Sequence, residues 1–163
     1  MMIRQVREED GEALGRVFCF GWKEGYKGIL PNDYLDALTV EICTPKKVPP
    51  QNYYVAESDG KVVGLVNFGT ARDTEFADSG ELRAIYVHPD HWQSGFGHAL
   101  FDAAINRLAE LGYPKFYLWV LRENARARHF YEKMGMQITA DERILSIGSA
   151  VVTEVRYEMG FKT

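Results

Sequence analysis

The sequence predicts an α/β fold: a mixed, mostly antiparallel, twisted sheet with helices on both faces. Two of its strand pairs are joined by turns short enough to be hairpins, Asp59-Gly60 and Gly148-Ser149, and a hairpin makes its strands antiparallel neighbours. A third observation adds a parallel pair. Strand-like residues 81–87 lead through a glycine-bearing loop and an amphipathic helical stretch into a second strand, 115–121, and such a crossover is right-handed.

Taken in order, residues 3–6 alternate weakly and read as a first strand. Glu8, Glu9 and Asp10 suit the partly positive first turn of a helix, and Leu14, Val17, Phe18 and Trp22 then recur at helical spacing. Gly25, Gly28 and Pro31 break the aromatic stretch 22–38, so that helix ends and a short second one starts near Pro31. A proline-rich loop, 44–51, precedes strands 53–58 and 61–70, which meet at Asp59-Gly60, a pair that tolerates positive φ. After a polar loop, 71–79, comes strand 81–87. Phe96, Ala99, Leu100, Ala103, Ala104, Leu108 and Leu111 mark one face of a helix that Gly112 and Pro114 end. Residues 115–121 form a nearly continuous apolar run, as expected of a strand covered on both faces. Asn124 is an N-cap candidate for a helix stopping near Gly135, and strands 137–147 and 150–161 close the chain. The order is β-α-α-β-β-β-α-β-α-β-β, without internal repeats.

At 163 residues, 46% hydrophobic and 13% aromatic, residues 1–163 read as a single domain able to build one core. A net charge of −4, with no basic run longer than Lys46-Lys47, argues against an extended nucleic-acid surface. No apolar run approaches a membrane span, and the N-terminus has no signal-like core. Cys19, Cys43 and the four histidines lack metal-ligand spacing, so no metal is expected and a reducing, cytoplasmic setting is the natural one. Cys19 reads as a small core residue, with a bridge to Cys43 left open.

Residues 81–100, ELRAIYVHPDHWQSGFGHAL, have the chemistry of a phosphate cradle. Gly95 and Gly97 let a ligand approach the backbone, and the first N–H groups of the following helix lack intrahelical partners. A Walker loop would need Lys-Ser/Thr after its last glycine, whereas His98-Ala99 follows Gly97. About thirty residues on, 124–136 reads NARARHFYEKMGM. Together the two segments resemble the GNAT superfamily of acyl-CoA-dependent N-acyltransferases. Val87, Pro89, Gly95 and Gly97 fit its Val-x-Pro, spacer, Q/R-x-x-G-x-G/A pattern. Asn124, Ala127, Phe130, Tyr131 and Gly135 fit N-x-x-A-x-x-F-Y-x-x-x-G-F, with Met136 in place of the last Phe. The Q/R position holds Trp92, with Gln93 one place later, at a loop whose expected contacts are mostly main-chain.

The resemblance implies the GNAT fold over the whole chain and acetyl-CoA as co-substrate, bound where strands 81–87 and 115–121 splay apart. Ile85 and Val87 would then contact pantetheine through their main chain, and the amides of Gln93, Ser94, Gly95, Phe96, Gly97 and His98 would meet the diphosphate. Asn124 is expected on the pantetheine arm, a role that stands beside that of an ordinary helix cap. Tyr131 is implied as the general acid that protonates the departing sulfur. Without the resemblance, Ala127, Phe130, Tyr131 and Met134 read equally as a buried helical stripe. An aliphatic ammonium of pKa about 10.4 leaves fewer than about one molecule in a thousand neutral at pH 7, so a base is needed, and Glu81 resembles the family position that supplies one. Trp22, Tyr26 and Tyr34 fall in the region that lines the family's acceptor pocket, and otherwise read as cover for a sheet edge or a subunit interface. Asp73, Glu75 and Asp78 are candidates to attract a cation, and Arg122, Arg126, Arg128 and Lys133 lie unranked near the implied coenzyme mouth. The implied activity is acetyl transfer to a primary amine of a small molecule or peptide by direct attack in a ternary complex. The alternative is a non-catalytic acyl-CoA-binding regulatory module, and the resemblance also allows a homodimer.

Overall fold

In the computed structural model, which describes residues 1–161, seven strands form one sheet. They are β1 (Met2–Gln5), β2 (Tyr53–Ser58), β3 (Lys61–Thr70), β4 (Gly80–Val87), β5 (Lys115–Leu121), β6 (Gln137–Ile147) and β7 (Ala150–Gly160), in spatial order β1-β2-β3-β4-β5-β7-β6. All neighbours are antiparallel except β4 and β5. Asp59 and Gly60, with φ of 50° and 76°, close the β2–β3 hairpin in the left-handed conformation that suits the twist of the strands.

Strand periodicity puts successive side chains on opposite faces, and a helix covers each. Val55 and Leu65 join Leu14 and Val17 of α1 (Gly11–Gly25) in one buried cluster. Ala56 and Val66 join Leu100, Phe101, Ala104 and Leu108 of α4 (Phe96–Glu110) in the other. The short α2 (Asn32–Asp36) and α3 (Val40–Cys43) follow α1, and α5 (Ala125–Lys133) packs Tyr131 into the core on the α4 side. α3 adds one helix to the order read from the sequence. It is a single turn that apolar periodicity cannot reveal, started by the Thr39 hydroxyl, which accepts from the Ile42 N–H at 3.1 Å. No helix among the described residues is long and apolar enough to cross a membrane. Cys19 and Cys43 are both free thiols. Burial, reinforced by neighbouring Cys19, pushes the Cys43 thiol up to about 11.

The feature that positions the site is where β4 and β5 part. Their parallel pairing comprises only Gly80 with Phe116 and Glu81 with Tyr117, whereas β4 stays on β3 as far as Val87, past an irregularity at Asn67/Phe68. The His88 N–H bonds the Val63 carbonyl at 2.8 Å. Antiparallel alternation then makes Leu65–Tyr86 a hydrogen-bonded pair as well, so the N–H and C=O groups of Ile85 and Val87 point away from β3 into the gap.

Arg4 ties the sheet edge to the start of α1. Its guanidinium forks onto Asp10 at 2.8 and 3.0 Å and its Nε donates to Glu57. The Arg4 hydrogen bonds, helped by the Arg7 N–H, hold the Asp10 carboxyl below the usual range against the opposing effect of burial. A depressed carboxylate stabilises the fold above its unfolded pKa of about 4, and that contribution is lost as pH falls through the lower folded value. Arg4→Met leaves two part-buried carboxylates unpaired and is expected to cost about 3 kcal/mol in urea denaturation at pH 7. The loss should shrink below about pH 4 as Asp10 protonates.

Candidate active site

On the α4 face, a cleft of about 320 Å³ runs along the end of β4 and the loop into α4. Pro89–His91 forms a 3-10 turn, after which Trp92 folds back to donate its indole N–H to the Val87 carbonyl at 2.8 Å. Gln93 and Gly95 have φ of 60° and 85°, a left-handed reversal that sets the start of α4 against the cleft. Gly95 gives α4 no side-chain cap, and the first intrahelical bond is from the Ala99 N–H to the Gly95 carbonyl. The N–H groups of Phe96, Gly97 and His98 therefore stand at a partly positive helix end without intrahelical partners, an arrangement that favours an anion. A Cβ on Gly97 would lie 3.6 Å from the Phe130 ring, so the glycine keeps this wall open rather than relieving a clash.

On the α1 face lies a second cavity of about 250 Å³. Trp22 of α1, Tyr26 just past its end, Tyr86 of β4 and Trp119 of β5 form aromatic walls, and Glu154 of β7 is the carboxylate among the lining residues. The Trp22 and Tyr26 rings meet edge-on at 4.8 Å, and the Tyr26 and Tyr86 hydroxyls lie 3.5 Å apart. Burial pushes both phenols above the ordinary tyrosine range.

Ile85, Tyr86, Arg126, Ala127 and Tyr131 line both cavities, so the β4–β5 gap joins them. Tyr131 is buried, and burial holds its phenol well above the usual value, with Tyr26 adding and Arg126 opposing. The Arg126 guanidinium stacks 3.8 Å above the Trp92 ring, and burial lowers its basicity.

Most of the residues expected from the sequence come together here. Ile85, Val87, Gln93, Gly95, Gly97, His98 and Tyr131 line the α4-side cleft. Ser94 and Phe96 belong to the same loop, the Ser94 hydroxyl donating to the Trp92 carbonyl at 3.3 Å and the Phe96 ring packing in the core. Asn124 caps α5, its Oδ1 accepting from the Ala127 N–H at 3.2 Å, and also lines the α1-side cavity. Trp22 and Tyr26 line that cavity, whereas Tyr34 does not. Tyr34 lies instead against the β6–β7 turn, so close that a Cβ on Gly148 would come within 2.6 Å of its ring.

Glu81 stands apart from both cavities. Its carboxylate is 1% exposed, lines neither cavity, and is held by Arg72 through Nε–Oε1 at 3.0 Å, Nη2–Oε2 at 2.7 Å and a main-chain N–H bond to Oε1. A carboxylate occupied by a guanidinium fork is not placed to take a proton from a substrate in either cavity.

In the acidic loop, Asp73 clamps β5. Asp73 accepts from the Tyr117 hydroxyl at 2.7 Å and the Trp119 indole at 2.9 Å, while Glu75 and Asp78 are exposed. Burial pushes the Asp73 carboxyl up, but those two hydrogen bonds and the neighbouring arginines outweigh it and hold it below the usual range. Of the basic residues, Arg126 enters the site, Arg122 pairs with Glu142, Arg128 donates to the Tyr157 hydroxyl, and Lys133 is exposed. Sequence reasoning missed Tyr86, Trp119 and Glu154. The available signal for Glu154 was its recurrence with Arg156 and Glu158 at period two, which marks one polar strand face.

The description "Acetyltransferase (GNAT) family" matches residues 17–136. An uncharacterised N-acetyltransferase of Archaeoglobus fulgidus is 30% identical over 151 residues, 84% of this chain and 93% of its own. A spermidine N(1)-acetyltransferase of Thermoplasma acidophilum is 25% identical over 166 residues, 96% of this chain and 97% of its own. The crystal structure of the PaiA N-acetyltransferase from Thermoplasma acidophilum in complex with coenzyme A shares the fold, with a TM-score of 0.79 and 22% identity over 98% of both chains.

Proposed function

The chain belongs to the GNAT family and is an acetyl-CoA-dependent acyltransferase, and from that premise we propose that it acetylates a primary amine of a small molecule by direct attack within a ternary complex. The observation that carries this reading is the junction of two cavities, entered from opposite faces of the sheet, at Tyr131. When bound, acetyl-CoA supplies an acetyl thioester as electrophile. The α4-side cleft fits it: the free amides of Phe96, Gly97 and His98 would hold the diphosphate, and the main-chain groups of Ile85 and Val87 that face the gap would hold the pantetheine arm. The Val87 carbonyl is already occupied by Trp92, which leaves its N–H for this role. Asn124 spends its carbonyl oxygen on the α5 cap and keeps its amide N–H groups for a ligand.

A main-chain N–H of β4 beside the gap receives the charge that develops on the carbonyl oxygen, in surroundings dry enough to make that contact count. Tyr131, a phenol protonated at neutral pH and kept so to higher pH by its burial, gives its proton to the departing sulfur. The α1-side cavity, about 250 Å³, has room for about eight waters' worth of ligand. That suits a compact amine, and the spermidine activity named for the Thermoplasma relative is consistent with it. Incubation with acetyl-CoA and a pool of primary amines, followed by free-thiol measurement and mass spectrometry, tests the proposal. Amine-dependent thiol release with an acetylated product is expected. Coenzyme binding with no release would favour the binding module and sink the transfer reading.

A further inference from the structure

We propose that Glu154 is the carboxylate that meets the acceptor amine and takes the first proton it must lose; this inference rests on the acetyl-transfer reading. Position argues first. Glu81 pairs with Tyr117, where β4 and β5 are still joined, whereas Glu154 pairs across β5 with Leu121, four residues further on beside the open gap. At a strand rise of about 3.3 Å per residue, the two carboxylates stand opposite points about 13 Å apart along β5. Glu81 is at the closed end of the splay and Glu154 at the open end, where Tyr131 lines the passage.

Surroundings argue second. Arg143 of β6 donates from Nε to Glu154 Oε1 at 2.9 Å, which orients the carboxylate and leaves Oε2 without a hydrogen-bond partner among the described residues, on a side chain that lines the cavity. Arg143 also lies 3.6 Å from Asp73, in the loop before β4, and 4.4 Å from the centre of the Trp119 ring, so its charge is divided among three neighbours. The other titratable groups lining the cavity are Tyr26 at the end of α1, whose phenol feels the Glu154 charge, Arg83 and Tyr86 of β4, and Arg126 and Tyr131 of α5. An alkylammonium in this space finds one oriented carboxylate and aromatic faces for its stem and charge.

The balance is complete. One N–H proton of the ammonium passes to Glu154 Oε2, and the freed lone pair forms the N–C bond to the thioester carbonyl carbon. The C–S bond breaks, and the sulfur takes the Tyr131 proton. The second N–H proton restores the Tyr131 phenol, and Glu154 releases its proton to solvent.

n-Butylamine, with 1-butanol as the uncharged match, is the probe. Tryptophan fluorescence should report amine binding by the wild type, and Glu154→Gln should weaken it by about tenfold or more, with acetyl-CoA affinity and melting temperature unchanged. Glu154→Asp, which keeps the charge, should retain part of the binding. In butylamine turnover, Glu154→Gln should lower kcat/KM about 10²-fold at pH 7.5 and recover progressively as pH rises toward the amine's pKa of about 10.4, where half of it is neutral unaided. Equal amine binding by wild type and Glu154→Gln, no amine binding by the wild type, or a deficit constant with pH would overturn the assignment. Failure of the wild type to bind acetyl-CoA would instead strike the acetyl-transfer reading and take this inference with it.

Discussion

Tyr131→Phe is expected to lower turnover by about 10²-fold or more while leaving acetyl-CoA affinity nearly unchanged. The substitution removes one hydroxyl and keeps the ring, whose edge-on packing against Phe130 at 5.5 Å and tilted approach to Tyr157 at 6.4 Å hold it in the core. The upward shift of the phenol comes from burial, with Tyr26 adding and Arg126 opposing, and no hydrogen bond contributes to it. The fold therefore loses no internal partner, and the melting temperature should hold. What is lost is a proton donor at the wall shared by the two cavities, so kcat falls and binding does not. Because the phenol titrates well above the ordinary tyrosine range, the donor stays protonated through pH 9, and the wild-type rate should not decline with Tyr131 ionisation below that pH. Thiol release at saturating substrates measures the effect; equal kcat in the variant would remove Tyr131 from the reaction.

Gly97→Asp should act in opposite directions on stability and on coenzyme binding. Gly97 has ordinary helical φ, and a Cβ there meets only the Phe130 and Val87 side chains at 3.6 Å or more, so the side chain fits. In the first turn of α4 a carboxylate is favoured by the helix dipole, and the melting temperature should stay level or rise. The same carboxylate would stand within the anion cradle. At an effective dielectric of 20 and roughly 5 Å, each like-charge pair costs about 3 kcal/mol, enough to weaken the binding of a diphosphate about 10²-fold. Calorimetric titration with coenzyme A checks this, and undiminished affinity in a folded variant would place the diphosphate elsewhere.

What was legible in the chain followed from local rules. Asp59-Gly60 and Gly148-Ser149 announced hairpins because few residues accept their backbone angles, and the stripe from Phe96 to Leu108 announced α4 because one face of it is core. The coenzyme-side residues could be read for the same reason: an anion cradle is made by consecutive residues at one helix start. The acceptor side is assembled from four strands and two helices, and its logic is long-range. Glu81 looked like a free carboxylate until Arg72, nine residues earlier, proved to fold back over it. Glu154 looked like one more charge on an amphipathic strand, because nothing local shows that β7 runs inside the sheet, next to β5. Tyr34 was grouped with Trp22 and Tyr26 by proximity in sequence and packs on the same hydrophobic cluster, but its ring lies against Gly148 of the β6–β7 turn rather than in the cavity lining.

The central claim is that one coenzyme site lies along the free edge of β4 and the uncapped start of α4. Titrating ¹⁵N-labelled protein with coenzyme A and following the backbone amides tests it most directly. The account predicts that the largest shifts fall on Ile85, Val87, Phe96, Gly97 and His98. Shifts clustered on β6 or on α2, with those five amides still, would contradict it.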